Sequence, residues 1–165
     1  MIRAATLTDI PAMLPLIAKT CAFHQGLDPS KYGFLPNPEQ RYTSWLNQLM
    51  KNPRHLCLVA EETVAEATIA PDQPSQIVAF LIATVEREIP IYRVKEYGFI
   101  HDLWVEEAYR HRGIARQLVM RAIEHFRQVG VEQVRLDTAA NNETARKLFA
   151  ACGFRASMVE MLTEL

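Results

Sequence analysis

The chain has 165 residues and a formal net charge of −1, which fits one domain and argues against a nucleic-acid or strongly anionic partner. With 49% hydrophobic and 22% charged residues, it has the composition of an ordinary globular protein. Its longest apolar run, Ile77–Val85, is far shorter than the ~20 residues of a membrane helix. We therefore expect one soluble, cytoplasmic domain over residues 1–165, without a nucleic-acid or membrane partner.

The first part of the chain predicts a short strand and two helices. Met1–Ala5 reads as a strand, and Thr8 is placed to cap a helix. Helical spacing gives that helix an apolar face made of Ile10, Met13, Leu14, Ile17, Ala18 and Cys21. Asn37-Pro38 begins a second helix. Its predicted buried stripe consists of Tyr42, Trp45, Leu46, Leu49 and Met50.

Strands dominate the middle of the chain. Leu56–Ala60 and Ile77–Val85 are apolar runs separated by a polar, proline-containing stretch, which predicts a hairpin with a long loop. Tyr97–Val105 is a third run, interrupted by His101 and Asp102. Because side chains alternate along a strand, we expect these two residues on opposite faces of the sheet.

The last part of the chain alternates helices and strands. A helix from Gly113 ends at Gly130, a strand covers Val134–Leu136, and Asn142 caps a further helix. Phe154–Leu165 reads as one or two closing strands. The strand–helix–strand order implies a parallel crossover, whereas the earlier hairpin is antiparallel. The sequence therefore predicts an α/β (α+β) fold with a mixed, mostly antiparallel sheet and helices on both faces.

The three cysteines give no sign of a metal or disulfide site. Cys21, Cys57 and Cys152 are widely spaced and form neither a CxxC pair nor a zinc pattern. Each has apolar neighbours, so we expect buried thiols in a reducing compartment and no metal.

A basic cluster lies where the third strand meets the next helix. Its basic residues are Arg110, His111, Arg112 and Arg116. A helix N-terminus already carries partial positive charge and free N–H groups, so added cations are unfavourable unless an anion binds between them. Gly113 lets a ligand approach the backbone. The segment predicts a phosphate or pyrophosphate site; the alternative is a solvated basic loop.

Three segments resemble the GNAT (Gcn5-related N-acetyltransferase) superfamily. Arg110-x-x-Gly113-x-Ala115 is similar to its pyrophosphate signature, in which Arg or Gln precedes x-x-Gly-x and then Gly or Ala. Ile100–Val105 resembles the central strand of the superfamily. Asn142–Phe149, followed by Cys152-Gly153-Phe154, resembles its later helical segment.

The resemblance implies a GNAT fold whose central parallel strand pair splays apart, and acetyl-coenzyme A as the cofactor. The pantetheine arm would follow the backbone at Leu103–Val105, and the pyrophosphate would lie on the amides of Arg110–Ala115. The residues implied to bind the cofactor are Leu103, Trp104, Val105, Arg110, His111, Arg112, Gly113, Ile114, Ala115, Arg116, Asn142, Ala145 and Phe149.

The implied reaction is transfer of an acetyl group to a primary amine by direct attack in a ternary complex. His101 and Asp102 are the candidate general bases; the alternative is a structural hydrogen-bonded pair. Phe149 stands where the superfamily usually has a Tyr acid. A second hypothesis is therefore a non-catalytic, regulatory acyl-CoA-binding module. The acceptor is either a small-molecule amine or a protein amine, and a homodimer is one expectation because dimers are common among the superfamily's members.

Overall fold

A computed structural model describes residues 1–63 and 75–165 of the chain. The strands are β1 (Ile2–Ala4), β2 (Leu56–Thr63), β3 (Ser75–Arg87), β4 (Glu96–Val105) and β5 (Val134–Leu136). The α-helices are α1 (Ile10–Leu27), α2 (Pro38–Leu49), α3 (Ile114–Val129) and α4 (Glu143–Ala151), and short 3-10 turns cover Leu7–Asp9 and Glu107–Tyr109. The predicted order of elements is confirmed through α4. The middle of the predicted hairpin loop, residues 64–74, lies outside the described residues.

The five strands form one sheet in the order β1-β2-β3-β4-β5. Pairing is antiparallel between the first four strands and parallel between β4 and β5. The parallel ladder extends only from Gly98 opposite Val134 to Ile100 opposite Leu136. Beyond Ile100, β4 continues to Val105 without β5 beside it. The mixed sheet is therefore confirmed, with its parallel pair joined at one end only.

Helices cover both faces of the sheet. The face under α1 and α2, which we call the α1/α2 face, has a core that includes Met13, Leu46 and Phe80. The opposite α3/α4 face has a core that includes Leu118, Phe126 and Phe149. Because both faces are covered, β3 is buried without interruption over residues 77–84 rather than alternating.

Close packing joins the last turn of α3 to the sheet. An added Cβ on Gly98 of β4 would lie 2.5 Å from the Phe126 ring of α3. The missing side chain therefore allows α3 to pack directly against β4. The other end of α3 begins at Ile114, and residues 106–113 connect it to the end of β4 at Val105.

Two local predictions were wrong. Thr8 does not cap α1: the Thr6 amide donates to Asp9 Oδ2 at 2.7 Å, ahead of a helix that begins at Ile10. The tail also forms no strand over residues 154–165. Instead it is tied to the loop after α1, where Ser30 Oγ donates to Glu164 Oε1 at 2.6 Å. Within residues 1–63 and 75–165, no helix combines the length and apolarity needed to cross a bilayer.

Candidate active site

The turn between β4 and α3 (residues 106–113) exposes backbone donors. His111 and Gly113 adopt positive φ angles of 62° and 77°, a conformation in which successive amides can converge on one anion. In the described part of the chain, the amides of residues 111–113 donate to no protein acceptor. The first turn of α3 adds further free N–H groups. Glu106 is paired with Lys19 of α1.

Arg110 stabilises this turn from within. Its Nε donates to Val105 O at 3.0 Å, and its guanidinium carbon lies 4.9 Å from the centroid of the Trp104 ring. Its amide donates to Glu107 O at 3.2 Å. The side chain predicted to contact the anion is thus turned back along β4, and the free amides begin at residue 111.

Arg112 and Arg116 supply the positive charge at the mouth of the turn. Both side chains are exposed. Arg112 Nη2 donates to Ala108 O at 3.0 Å, and its guanidinium carbon lies 5.0 Å from the Tyr109 ring centroid. Arg116 lies close enough to the Cys152 thiol to lower its pKa, although burial dominates and raises that pKa overall. Neither arginine pairs with a carboxylate of the turn, and Arg112 instead contacts Ala108 O and the Tyr109 ring.

The last residues of β4 have an edge that β5 leaves free. Leu103, Trp104 and Val105 pair with β3 on one side, and they have no β5 partner on the other. Except for Val105 O, which accepts from Arg110 Nε, the backbone groups that face away from β3 are therefore available to an extended ligand. Asn141 Nδ2, before α4, donates to Leu27 O at 3.1 Å and links the start of α4 to the end of α1.

The α4 residues predicted to bind the cofactor have structural roles as well. Asn142 Oδ1 accepts from the Ala145 amide at 3.2 Å, so it caps α4 as the sequence predicts. Phe149 is buried in the core of the α3/α4 face, with its ring centroid 5.7 Å from that of Phe154. A phenyl ring has no proton to donate, so this position offers a leaving group no acid.

A β-bulge brings both candidate bases to the α1/α2 face. Ile82 lies opposite Asp102 and Ala83 lies opposite Ile100, so His101 is an extra residue in β4. The His101 ring meets Trp45 of α2 edge to face at 5.2 Å. Asp102 accepts from Tyr42 Oη, also of α2, at 3.1 Å. The prediction of opposite faces was wrong because it assumed unbroken alternation.

Asp102 is a buried carboxyl group. The residue is only 9% exposed, and Tyr42 donates to its Oδ2. Burial raises the pKa of Asp102 to about 6, against a smaller lowering by the Tyr42 hydrogen bond. Near neutral pH this group is therefore largely ionised but poorly reachable.

His101 is the more accessible of the two candidates. Its side chain is 28% exposed, and its Nε2 lies 2.7 Å from Thr84 Oγ1 and 3.6 Å from Glu86 Oε1. The Phe99 ring packs against it at 4.9 Å. Burial lowers the pKa of His101, partly offset by Glu86. The imidazole is thus neutral at pH 7 and able to accept a proton.

Sequence reasoning missed the partners of these two residues. It placed Tyr42 and Trp45 in a buried helical stripe. Both are only partly buried, against the core of the α1/α2 face, and the pattern carries no sign that they contact Asp102 or His101. Thr84 belongs to a continuous apolar strand and likewise carries no functional signal. Only the pairing of β3 with β4 brings Thr84 next to His101.

Comparison with known proteins agrees with this geometry. Residues 22–154 match the model of the acetyltransferase (GNAT) family. The chain is 34% identical over 89 residues to the uncharacterized N-acetyltransferase YycN of Bacillus subtilis, with 54% of each protein covered. It is 36% identical over 73 residues to N-alpha-acetyltransferase MAK3 of Arabidopsis thaliana, covering 44% of this chain and 38% of that protein. The chain thus spans about half the length, or less, of these curated relatives.

Solved structures share the fold over the full chain. The tetramutant of the BH1408 protein from Bacillus halodurans superposes with a TM-score of 0.81 at 22% identity, covering 100% of this chain and 99% of that one. Aminoglycoside N-acetyltransferase AAC(6')-Iy in complex with CoA superposes with a TM-score of 0.71 at 16% identity, covering 100% and 93%. Since the family model also matches most of the sequence, the chain belongs to the acetyltransferase (GNAT) family, a family of acyltransferases.

Proposed function

We propose that the chain transfers an acetyl group from acetyl-coenzyme A to a primary amine by direct attack within a ternary complex. The observation that carries the proposal is the set of free amides at residues 111–113, which follow the end of β4 that pairs with β3 but not with β5. A helix N-terminus with converging amides suits a diphosphate. A free strand edge suits the amide groups of a pantetheine arm. Acetyl-coenzyme A contains both groups, joined in that order.

The same geometry supports the predicted assignment of cofactor contacts, with one change. The backbone of Leu103–Val105 would bind the pantetheine arm, and the amides of residues 111–115 would bind the pyrophosphate. Arg112 and Arg116 would neutralise its charge, whereas Arg110 would hold the turn in shape through Val105 O. Half-buried Ala145 leaves room beside the cap of α4. Asn142 and Phe149 would line the far side.

His101 is the general base in this proposal. The acceptor nitrogen attacks the thioester carbonyl, the new C–N bond forms, and the C–S bond breaks as coenzyme A leaves. His101 takes the proton that the amine loses, because it is neutral at pH 7 and partly exposed. Asp102 lies deeper, beneath Tyr42, so its charge can attract a cationic acceptor without receiving the proton itself.

A test follows from comparing two substitutions in an assay that detects free thiol with acetyl-coenzyme A and a panel of amines. His101→Ala should lower kcat by ~10²-fold or more, the usual contribution of a general base. It should also remove the acid limb of the pH–rate profile, the loss of rate that follows protonation of His101. Because burial lowers the pKa of His101, this limb should lie below the ordinary histidine pKa. Asp102→Asn should keep that limb. An unchanged profile in His101→Ala with a lost limb in Asp102→Asn would move the role to Asp102.

A second candidate function is a non-catalytic acyl-CoA-binding module. It is favoured by Phe149, which is buried in the core and has no hydroxyl group to protonate a leaving thiolate. This alternative predicts tight coenzyme A binding without amine-dependent release of thiol on any acceptor. Small amines, peptides with free N-termini and peptides with lysines belong in the same panel.

Size-exclusion chromatography with light scattering tests the expected homodimer.

A further inference from the structure

A short run of polar contacts leads away from His101 on the α1/α2 face. Thr84 Oγ1 lies 2.7 Å from His101 Nε2, and the same hydroxyl donates to Glu86 Oε1. Thr84 is buried, at 5% exposure, while the Glu86 side chain reaches solvent with 43% exposure. Both residues lie on β3, directly beside the bulge that holds His101.

Counting hydrogen atoms assigns the direction of each contact. A carboxylate can only accept hydrogen bonds, and a hydroxyl has one hydrogen to donate. The Thr84 hydrogen is therefore used toward Glu86, which leaves only an acceptor lone pair on Oγ1 for the imidazole. His101 must then carry its proton on Nε2, because a neutral imidazole is protonated on one nitrogen only. The lone pair that can take up a proton is consequently on Nδ1.

We propose that Thr84 and Glu86 are positioning residues that hold neutral His101 in its Nε2–H form, so that Nδ1 receives the proton of the acceptor amine. The catalytic half of this statement rests on the proposed function, whereas the tautomer does not. When one ring nitrogen of a histidine donates its proton to a fixed acceptor, the other nitrogen keeps its lone pair free to accept a proton. Neither residue needs to touch the substrate.

Other titratable groups act on the imidazole or lie beside its strand neighbour Asp102, and they must be held constant in any test. They are Asp102 on the same strand, Tyr42 of α2, His55 before β2 and Asp137 after β5. Burial lowers the pKa of His101, Glu86 and Asp137 raise it, and His55 lowers it. Removing Glu86 should therefore move the acid limb of the rate profile to lower pH, because a neighbour that favours imidazolium is lost.

Long-range ¹H–¹⁵N spectra of histidine side chains test the tautomer in the full chain without any turnover. The His101 signals are assigned by their loss in His101→Asn. We expect Nε2–H in the wild type and in Thr84→Ser, which keeps the hydroxyl. In Glu86→Ala the Thr84 hydrogen becomes free to point at Nε2, so a measurable Nδ1–H fraction should appear. In Thr84→Val the hydroxyl group between Glu86 and His101 is lost, so both neutral tautomers of His101 should be populated.

Kinetics of the same variants test the consequence. Thr84→Val should lower kcat at least ~10-fold with the KM for acetyl-coenzyme A unchanged. Thr84→Ser, which keeps the hydroxyl group, should retain the wild-type kcat. An Nδ1–H signal in the wild type, or a tautomer that is unchanged in both Glu86→Ala and Thr84→Val, overturns the proposal. If the spectra agree but no variant and no wild-type protein transfers acetyl groups, the positioning stands and the proposed function fails. Circular dichroism confirms that each variant is folded.

Discussion

At the residue scale, Asp102 has an energetic cost that depends on pH. Burial raises its pKa from an ordinary 3.8 to about 6. The folded chain therefore holds this proton more tightly than the unfolded chain does. Stability linked to Asp102 is fully present below about pH 4 and falls as the pH rises through about 6. At neutral pH the buried charge costs up to ~3 kcal/mol.

We therefore predict that Asp102→Asn is stabilising above pH 7. The amide has the shape of the carboxyl group and keeps an oxygen for the Tyr42 hydroxyl, but it carries no charge. Urea unfolding should show a gain of ~1–3 kcal/mol at pH 7.5 that disappears near pH 4.

Asp9 provides a matched control of opposite sign. Hydrogen bonds from Arg3 hold the pKa of Asp9 well below its usual range, so its ionised form is favoured in the folded chain. Asp9→Asn should therefore lose stability at neutral pH. Equal effects of Asp102→Asn at pH 4 and pH 7.5 would contradict the burial argument.

At the scale of elements, α3 offers a test of the proposed phosphate site at the turn before it. A glycine with positive φ lies at each end of the helix: Gly113 at 77° and Gly130 at 87°. An added Cβ would have no contact closer than 3.8 Å at Gly113 and none within 4 Å at Gly130. Alanine at either position therefore meets the same conformational strain, on the order of 1–2 kcal/mol.

Only one of these two substitutions should affect ligand binding. Gly113→Ala places a methyl group on the turn whose amides are free, whereas Gly130→Ala lies at the far end of α3. We expect similar losses of stability in urea, but a loss of coenzyme A affinity of at least ~10-fold for Gly113→Ala alone, measured by isothermal titration calorimetry. Equal affinities in the two variants would argue against phosphate binding at this turn.

The sequence predicted this element because its signals are local. Gly113 and Gly130 mark the two ends of α3 by their conformational freedom, and Asn142 marks the start of α4 by its side-chain chemistry. The structure has all three helix ends at these residues. The bulge at His101 was missed because it depends on the register of β4 against β3, which no local pattern of β4 encodes. The predicted closing strands are absent, and the apolar side chains of Met158, Val159 and Met161 are at least 79% exposed.

At the scale of the whole molecule, the fold places the part of β4 that lacks β5 as a neighbour shortly before the N-terminus of α3 in the chain. The fold class was predictable from the sequence, because the strand–helix–strand order implies a parallel crossover. Its details were not predictable, since they depend on distant contacts such as that of Gly98 with Phe126. The same layering brings α2 over the bulge, so that residues 42 and 45 contact the candidate bases.

The central claim is that free amides at the start of α3 bind the diphosphate of an acyl-coenzyme A. Titrating coenzyme A into ¹⁵N-labelled protein while following backbone amide shifts tests it most directly. We predict saturable binding, with the largest shifts at residues 111–115 and smaller ones at 103–105. Absence of binding at high micromolar coenzyme A, or saturation that leaves the amides of 111–115 unmoved, would contradict the account.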